Sequence, residues 1–210
     1  MRCFYSQTGR SMIEMLGVLA IIAVLSVGGI AGYSKAMEQF KANKLIEEYN
    51  LLIAGLIEYK NGFPIVKGYD TYIALTIMSL NLVPSTWKLR GSYLDDNRGN
   101  LLFIRAKFAS SLNGLPVIVA DFNLGGLKNN VSENFSTVTC QNIFNKIIIP
   151  LHSTLSLGYV YLNGAHHDMY YGDGYCSGKL KCIRDMSLND VKNICSSCDA
   201  KRRCNVTITF

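Results

Sequence analysis

Charge is absent from one complete stretch of this chain: Met15 to Ser34 contains no Asp, Glu, Lys or Arg. That run of 20 residues excludes a solvated surface helix. As a helix it is about 30 Å long, enough to cross a bilayer core. Proline is scarce too, with four in 210 residues and the first at Pro64, so no ring interrupts a helix before that point. Cysteine is missing between Cys3 and Cys140. Concentrated basic charge is also lacking: the net charge is +6, yet no consecutive basic run exceeds Lys201-Arg202-Arg203. Without a basic cluster or a recognisable reading motif, the sequence argues against a nucleic-acid partner.

What is present at the edge of the apolar run is a single carboxylate, Glu14. An acid there is costly in lipid and calls for protonation or a partner. A secretory signal cut near Ala31 would want a basic, acid-free region before a shorter apolar core of about 7–15 residues. A plain membrane anchor explains the length of the run but not Glu14. Flanking charge does not orient the segment, because Arg2 and Arg10 on one side face Lys35, Lys41 and Lys44 on the other.

The helical pattern continues past the apolar run. Phe40, Ile46, Tyr49, Ile53, Leu56 and Ile57 make an apolar face, at three- or four-residue intervals from Ile46 to Leu56, punctuated by Glu38, Lys41, Lys44, Glu47 and Glu48. The spacing predicts one helix from about Ser11 to Lys60, roughly 75 Å long, with a membrane half over 10–34 and an amphipathic half over 35–60. Asn61-Gly62-Phe63-Pro64 should end it. Gly28, Gly29 and Gly32 carry Gly-x-x-x-Gly spacing, which lets membrane helices approach closely. Glycine also weakens a helix by up to about 1 kcal/mol per residue, and ordinary small residues on a lipid-facing surface are the alternative.

Residues 61–210 read as one head domain. A short helix is expected over Thr71 to Leu82, strands over Leu101–Phe108 and Pro116–Phe122, and a helix over Thr137–Ile149 around Cys140. A strand follows over Gly158–Gly164, then a short helix over Ser187–Ile194 with Asn189 or Asp190 as cap, and a final strand over Asn205–Phe210. The expected class is α+β: a long N-terminal helix on an antiparallel sheet with short helices and a disulfide-rich C-terminal region.

Six cysteines, Cys140, Cys176, Cys182, Cys195, Cys198 and Cys204, fall in the last third of the chain. An even number there reads as a disulfide framework, with 15 possible connectivities. Cys195-Ser-Ser-Cys198 has metal-ligand spacing but lacks the second pair of a four-cysteine zinc site. It also follows a helical stretch instead of opening a helix after a strand, as a thioredoxin-like pair would. His166-His167-Asp168 reads as a solvated loop after a strand. Asp95 to Asn100 reads as a turn, since it lacks the later acidic ligand of an EF-hand loop. Tyr170, Tyr171 and Tyr175 form either a contact surface or local packing. The sequons at Asn130, Asn134 and Asn205 carry little weight. No catalytic constellation, metal site or cofactor motif emerges, so an enzyme is not expected. Cys195 with Cys198, or His166 with His167, would carry any redox or hydrolytic alternative on a membrane-anchored periplasmic protein.

The order Gly9-Arg10-Ser11-Met12-Ile13-Glu14-Met15-Leu16, followed by Val18 to Leu25, resembles the N-terminus of type IV pilins and their pseudopilin relatives. The resemblance implies a leader over 1–9, cleavage after Gly9, methylation of the new terminus at Arg10, and a role for Glu14 in docking subunits into a fibre. Glu14 would meet the amino terminus of a neighbouring subunit, the alternative being its own terminus while the chain is stored in the membrane. The family commonly has Phe or Met where this chain has Arg10. Further matches resemble type IVb pilins: Leu82-Val83-Pro84-Ser85, the helix bearing Cys140, the strand ending at Asn163-Gly164, the helix ending at Cys195, and the terminal Ile208-Thr209-Phe210. This resemblance implies a Cys140–Cys195 bridge, with Cys198 as the alternative to Cys195, and local staples Cys176–Cys182 and Cys198–Cys204. It implies a structural subunit whose partners are other pilin subunits, a prepilin peptidase, inner-membrane assembly machinery and the lipid bilayer. Such a subunit sits in the inner membrane, head domain periplasmic, before joining a pilus or a type II secretion pseudopilus.

Overall fold

The computed structural model describes residues 12–126, 132, 134–162, 165–198 and 203–210, with the backbone alone at 111 and 165–167. The expected long N-terminal helix is observed as α1, Met12–Glu58, followed by a 3-10 turn over Lys60–Gly62. The chain divides into two compact units, Met1–Asn43 and Lys44–Phe210.

In the first unit the described residues belong to α1, and their apolar side chains, among them Ile13, Leu16, Ile21, Val24, Leu25 and Ile30, are exposed. This helix is long and apolar enough to cross a membrane. Burial on α1 begins only at Leu45, where the helical spacing of apolar residues gains something to pack against.

The second unit is built on an antiparallel sheet. Its strands are β1 (Thr71–Tyr72), β2 (Lys88–Arg90), β3 (Tyr93–Asp95), β4 (Leu101–Ala109), β5 (Leu115–Asn123), β6 (Leu157–Leu162), β7 (Ala165–Tyr171) and β8 (Cys204–Thr209). They lie in the order β2-β3-β4-β5-β8-β6-β7, with β1 pairing β4. The last strand thus enters between β5 and β6, pairing Val119 with Thr209 and Val160 with Val206. One face takes alternate residues of the central strands, including Leu102, Ile104, Ala106, Ile118, Ala120, Phe122, Val206 and Ile208. Against it pack Leu45, Ile46, Tyr49, Leu52, Ile53 and Leu56 of α1 together with two later helices. Each such aliphatic side chain contributes about 1.5–3 kcal/mol on full burial.

Those later helices are α3 (Thr137–Ile143) and α4 (Leu188–Ser196), and α2 (Ala74–Ser79) precedes them. A π-helical turn, Phe144–Ile148, extends α3, so the helical stretch expected to Ile149 is filled. Three disulfides close the C-terminal region: Cys140–Cys195, Cys176–Cys182 and Cys198–Cys204. The class expected from the sequence, α+β with a disulfide-rich C-terminal region, is the class observed.

Several local readings need correction. Thr71 and Tyr72 are a strand paired with Ala106 and Arg105, not the start of a helix. Two residues of good strand propensity take the free edge of β4, and Ile73 N then donates to Ile104 O at 3.1 Å. The helix that follows stops at Ser79, and Asn81 in the left-handed region (φ 53°) turns the chain before Pro84. His166 to Asp168 lie in β7, not in a loop, because β6 pairs with His166 and His167. Helix α4 is capped by Ser187, whose Oγ accepts from Asp190 N, while the Asp190 carboxylate accepts from Ser187 N at 2.9 Å. Asp190 is therefore the third helical residue of a capping box, and Asn189 is not the cap.

Candidate functional site

Glu14 lies in the first turn of α1 and is exposed. A carboxylate at that end complements the partial positive charge of unpaired backbone N–H groups. Gly28, Gly29 and Gly32 lie within the same helix. A Cβ added at any of them would meet nothing within 4 Å, so none is required by packing inside the single chain. Gly9 and Arg10 lie outside the described residues.

The disulfides determine what the cysteines can do chemically. Cys195 bonds to Cys140 and Cys198 to Cys204, so the two thiols of the Cys-x-x-Cys segment belong to different bridges. These are the pairs that the pilin resemblance implies. Cys140 and Cys195 are both fully buried and join α3 to α4. Cys176–Cys182 closes a short loop beside β7, where Lys181 donates to Asp168 at 2.5 Å and lies 5.5 Å above the Tyr170 ring. Among the described residues, no group of three His, Cys, Asp or Glu side chains is placed to hold a metal ion.

The turn from Asp95 to Asn100 joins β3 to β4. Asp96 Oδ1 accepts from Arg98 N at 2.8 Å and Asn100 N at 3.1 Å. Its Oδ2 accepts from Tyr49 Oη at 2.8 Å and Asn100 Nδ2 at 2.6 Å. Four protein donors thus fill both oxygens. Burial, then the Asp96 charge, pushes the Tyr49 phenol well above its ordinary value, so it stays a donor. Arg98 reaches back from the turn and grips Glu48 of α1 with both terminal nitrogens, at 2.5 and 2.8 Å. Trp87 Nε1 donates to the same carboxylate at 3.2 Å. Burial raises the Glu48 pKa, but the Arg98 and Trp87 hydrogen bonds and the Arg98 charge outweigh it and hold it below the usual range.

Sequence reasoning missed this network, since its partners are 39 to 50 residues apart. The one available signal was Glu48, an acid immediately before the apolar-face residue Tyr49. The network anchors a turn to a helix, and its acids are already committed to that work. Comparison with protein-family models, curated proteins and solved structures finds no match to this chain.

Proposed function

We propose that this chain is a prepilin-type structural subunit, cleaved after Gly9, held in the inner membrane and polymerised through its N-terminal helix into a type IV pilus. The observation that carries the reading is helix α1. It has an acid in its first turn, exposed apolar side chains along its early part, and burial confined to residues from Leu45 onward. A secretory signal accounts for the apolar run but gives Glu14 no role. In a fibre the apolar side chains exchange lipid for partners from other subunits, so close packing rather than removal from water favours their association, while Glu14 meets a neighbour's amino terminus. The disulfide-stapled head faces outward and performs no catalysis. A type II secretion pseudopilin would use the same chemistry in a different machine.

Non-reducing intact-mass and N-terminal peptide mass spectrometry on protein from membranes of its own host tests the processing. A chain beginning at Arg10 with six oxidised cysteines is the expected result. A chain beginning near Gly32 would mean a cut secretory signal and overturn the reading. Electron microscopy of sheared surface material then separates a pilus from a pseudopilus.

A further inference from the structure

The three disulfides differ in what surrounds them. Cys140 and Cys195 are fully buried, Cys204 is fully buried in β8, and its partner Cys198 is buried as well. Cys176 and Cys182 are only half-buried, and every residue between them, Ser177 to Lys181, is exposed. Thiol–disulfide exchange requires a thiolate to reach a bridge sulfur, so access separates this bridge from the other two. Nothing between its cysteines belongs to the core. Its sequence separation is only 6, so opening it removes little of the chain-entropy stabilisation of the fold. Lys179 and Lys181 stand inside the loop, and neighbouring positive charge favours a leaving thiolate.

Both ends of the loop are anchored independently of the sulfurs. On one side Tyr175 packs against a second apolar cluster that includes Val117, Val119 and Leu157. On the other, Ile183 is fully buried in the main core, and Tyr171 N of β7 donates to Lys181 O at 2.8 Å. The cysteine Cα atoms are 5.5 Å apart, and these anchors keep them within bridging range once the bond is open. Closure is then intramolecular. The part released is the loop tip, Ser177 to Leu180. Leu180, Lys181 and Cys182 form one side of a cleft of about 250 Å³, and Tyr170, Asp185 and Asp190 form the other. Opening the bridge therefore loosens one wall of that cleft and leaves the opposite wall in place.

We infer that Cys176–Cys182 is a redox switch, a clasp that a protein dithiol opens and reoxidation closes while the fold and the two buried bridges stay intact. In opening, a thiolate of the dithiol attacks one bridge sulfur, and the other sulfur leaves as a thiolate and takes up a proton. The second thiol of the dithiol, losing its proton, then attacks its own sulfur in the mixed disulfide and displaces the remaining cysteine, which is protonated in turn. Two electrons and two protons pass to the clasp, and the dithiol leaves as its own disulfide.

The test is timed reduction of the full-length protein in detergent, followed by alkylation and peptide mass spectrometry. Dithiothreitol is one reductant, and reduced thioredoxin serves as the protein dithiol. With both, Cys176 and Cys182 should be labelled about tenfold faster than the other four bridged cysteines, while the fluorescence of buried Trp87 is unchanged. Trypsin should then cut after Lys179 about tenfold faster, and oxidised glutathione should restore the bridge and the resistance together. The Cys176→Ser/Cys182→Ser variant should show the fast cleavage without any reductant. Equal labelling of the three pairs would overturn the assignment, as would labelling that appears only when the Trp87 signal collapses. So would failure of thioredoxin to open the clasp, failure of glutathione to close it, or cleavage of the natural chain at a rate indifferent to the bridge.

Discussion

Tyr49 donates its hydroxyl to Asp96 Oδ2 at 2.8 Å, a fully buried contact between α1 and the turn joining β3 to β4. Removing one partner of a buried charged hydrogen bond costs about 1.5–3 kcal/mol. Tyr49→Phe should fall in that range, since Asp96 Oδ2 keeps Asn100 Nδ2. Asp96→Ala should cost more, because it also strands the Arg98 and Asn100 backbone N–H groups and the phenol. Urea unfolding in detergent reports both through Trp87, the single tryptophan, which lies edge-on to Tyr49 at 5.8 Å. An unchanged midpoint for Tyr49→Phe would refute this account of the latch.

Glu48 gives the fold a defined acid limit. Its pKa is lowered in the folded protein, with burial outweighed by the Arg98 and Trp87 bonds and the Arg98 charge. A depressed carboxylate pKa contributes stability that is complete above the unfolded value, about 4.3 for Glu, and is lost as pH falls through the folded value. The urea midpoint should therefore decline as pH drops below about 4.3. Glu48→Gln should be less stable at neutral pH and show a flatter acid limb. Parallel acid limbs for the two proteins would show that other carboxylates set the limit.

The Cys140–Cys195 bridge spans 55 residues and the other two span 6 each. Chain entropy assigns about 4 kcal/mol to the long loop and about 2 kcal/mol to each short one. The Cys140→Ala/Cys195→Ala double variant should therefore lose the most stability of the three paired deletions. It also opens a cavity between α3 and α4, because both sulfurs are fully buried. Ranking the three double variants by urea midpoint checks the order, which fails if a short-loop deletion proves the most damaging.

What the sequence made legible follows from periodicity. Helix α1 was visible because apolar spacing and absent proline act over dozens of residues, and β4, β5 and β8 because β-branched and aromatic runs are unmistakable. The β2–β3 hairpin was not, since its strands are three residues each and it is held to the sheet through the pairing of β3 with β4. Strand β7 was hidden because His166, His167 and Asp168 are polar, and only pairing with β6 makes them a strand. The hydrogen-bonded group of Arg105, Asp121 and Asn205 was equally invisible, because the three come from separate strands and no local pattern announces that they will meet.

The glycines of α1 allow assembly to be tested apart from folding. Replacing Gly28, Gly29 and Gly32 together with Ala adds side chains that meet nothing in the single chain and raises helix propensity by up to about 1 kcal/mol per position. The triple variant should accumulate in the membrane at least as well as the natural sequence, with equal or greater helicity. If subunits approach one another at these positions, or if the helix must loosen there, the yield of sheared fibre should fall at unchanged membrane level. Immunoblots of the two fractions make that comparison directly. Unchanged fibre yield would mean that the three glycines are ordinary small residues on a lipid-facing surface.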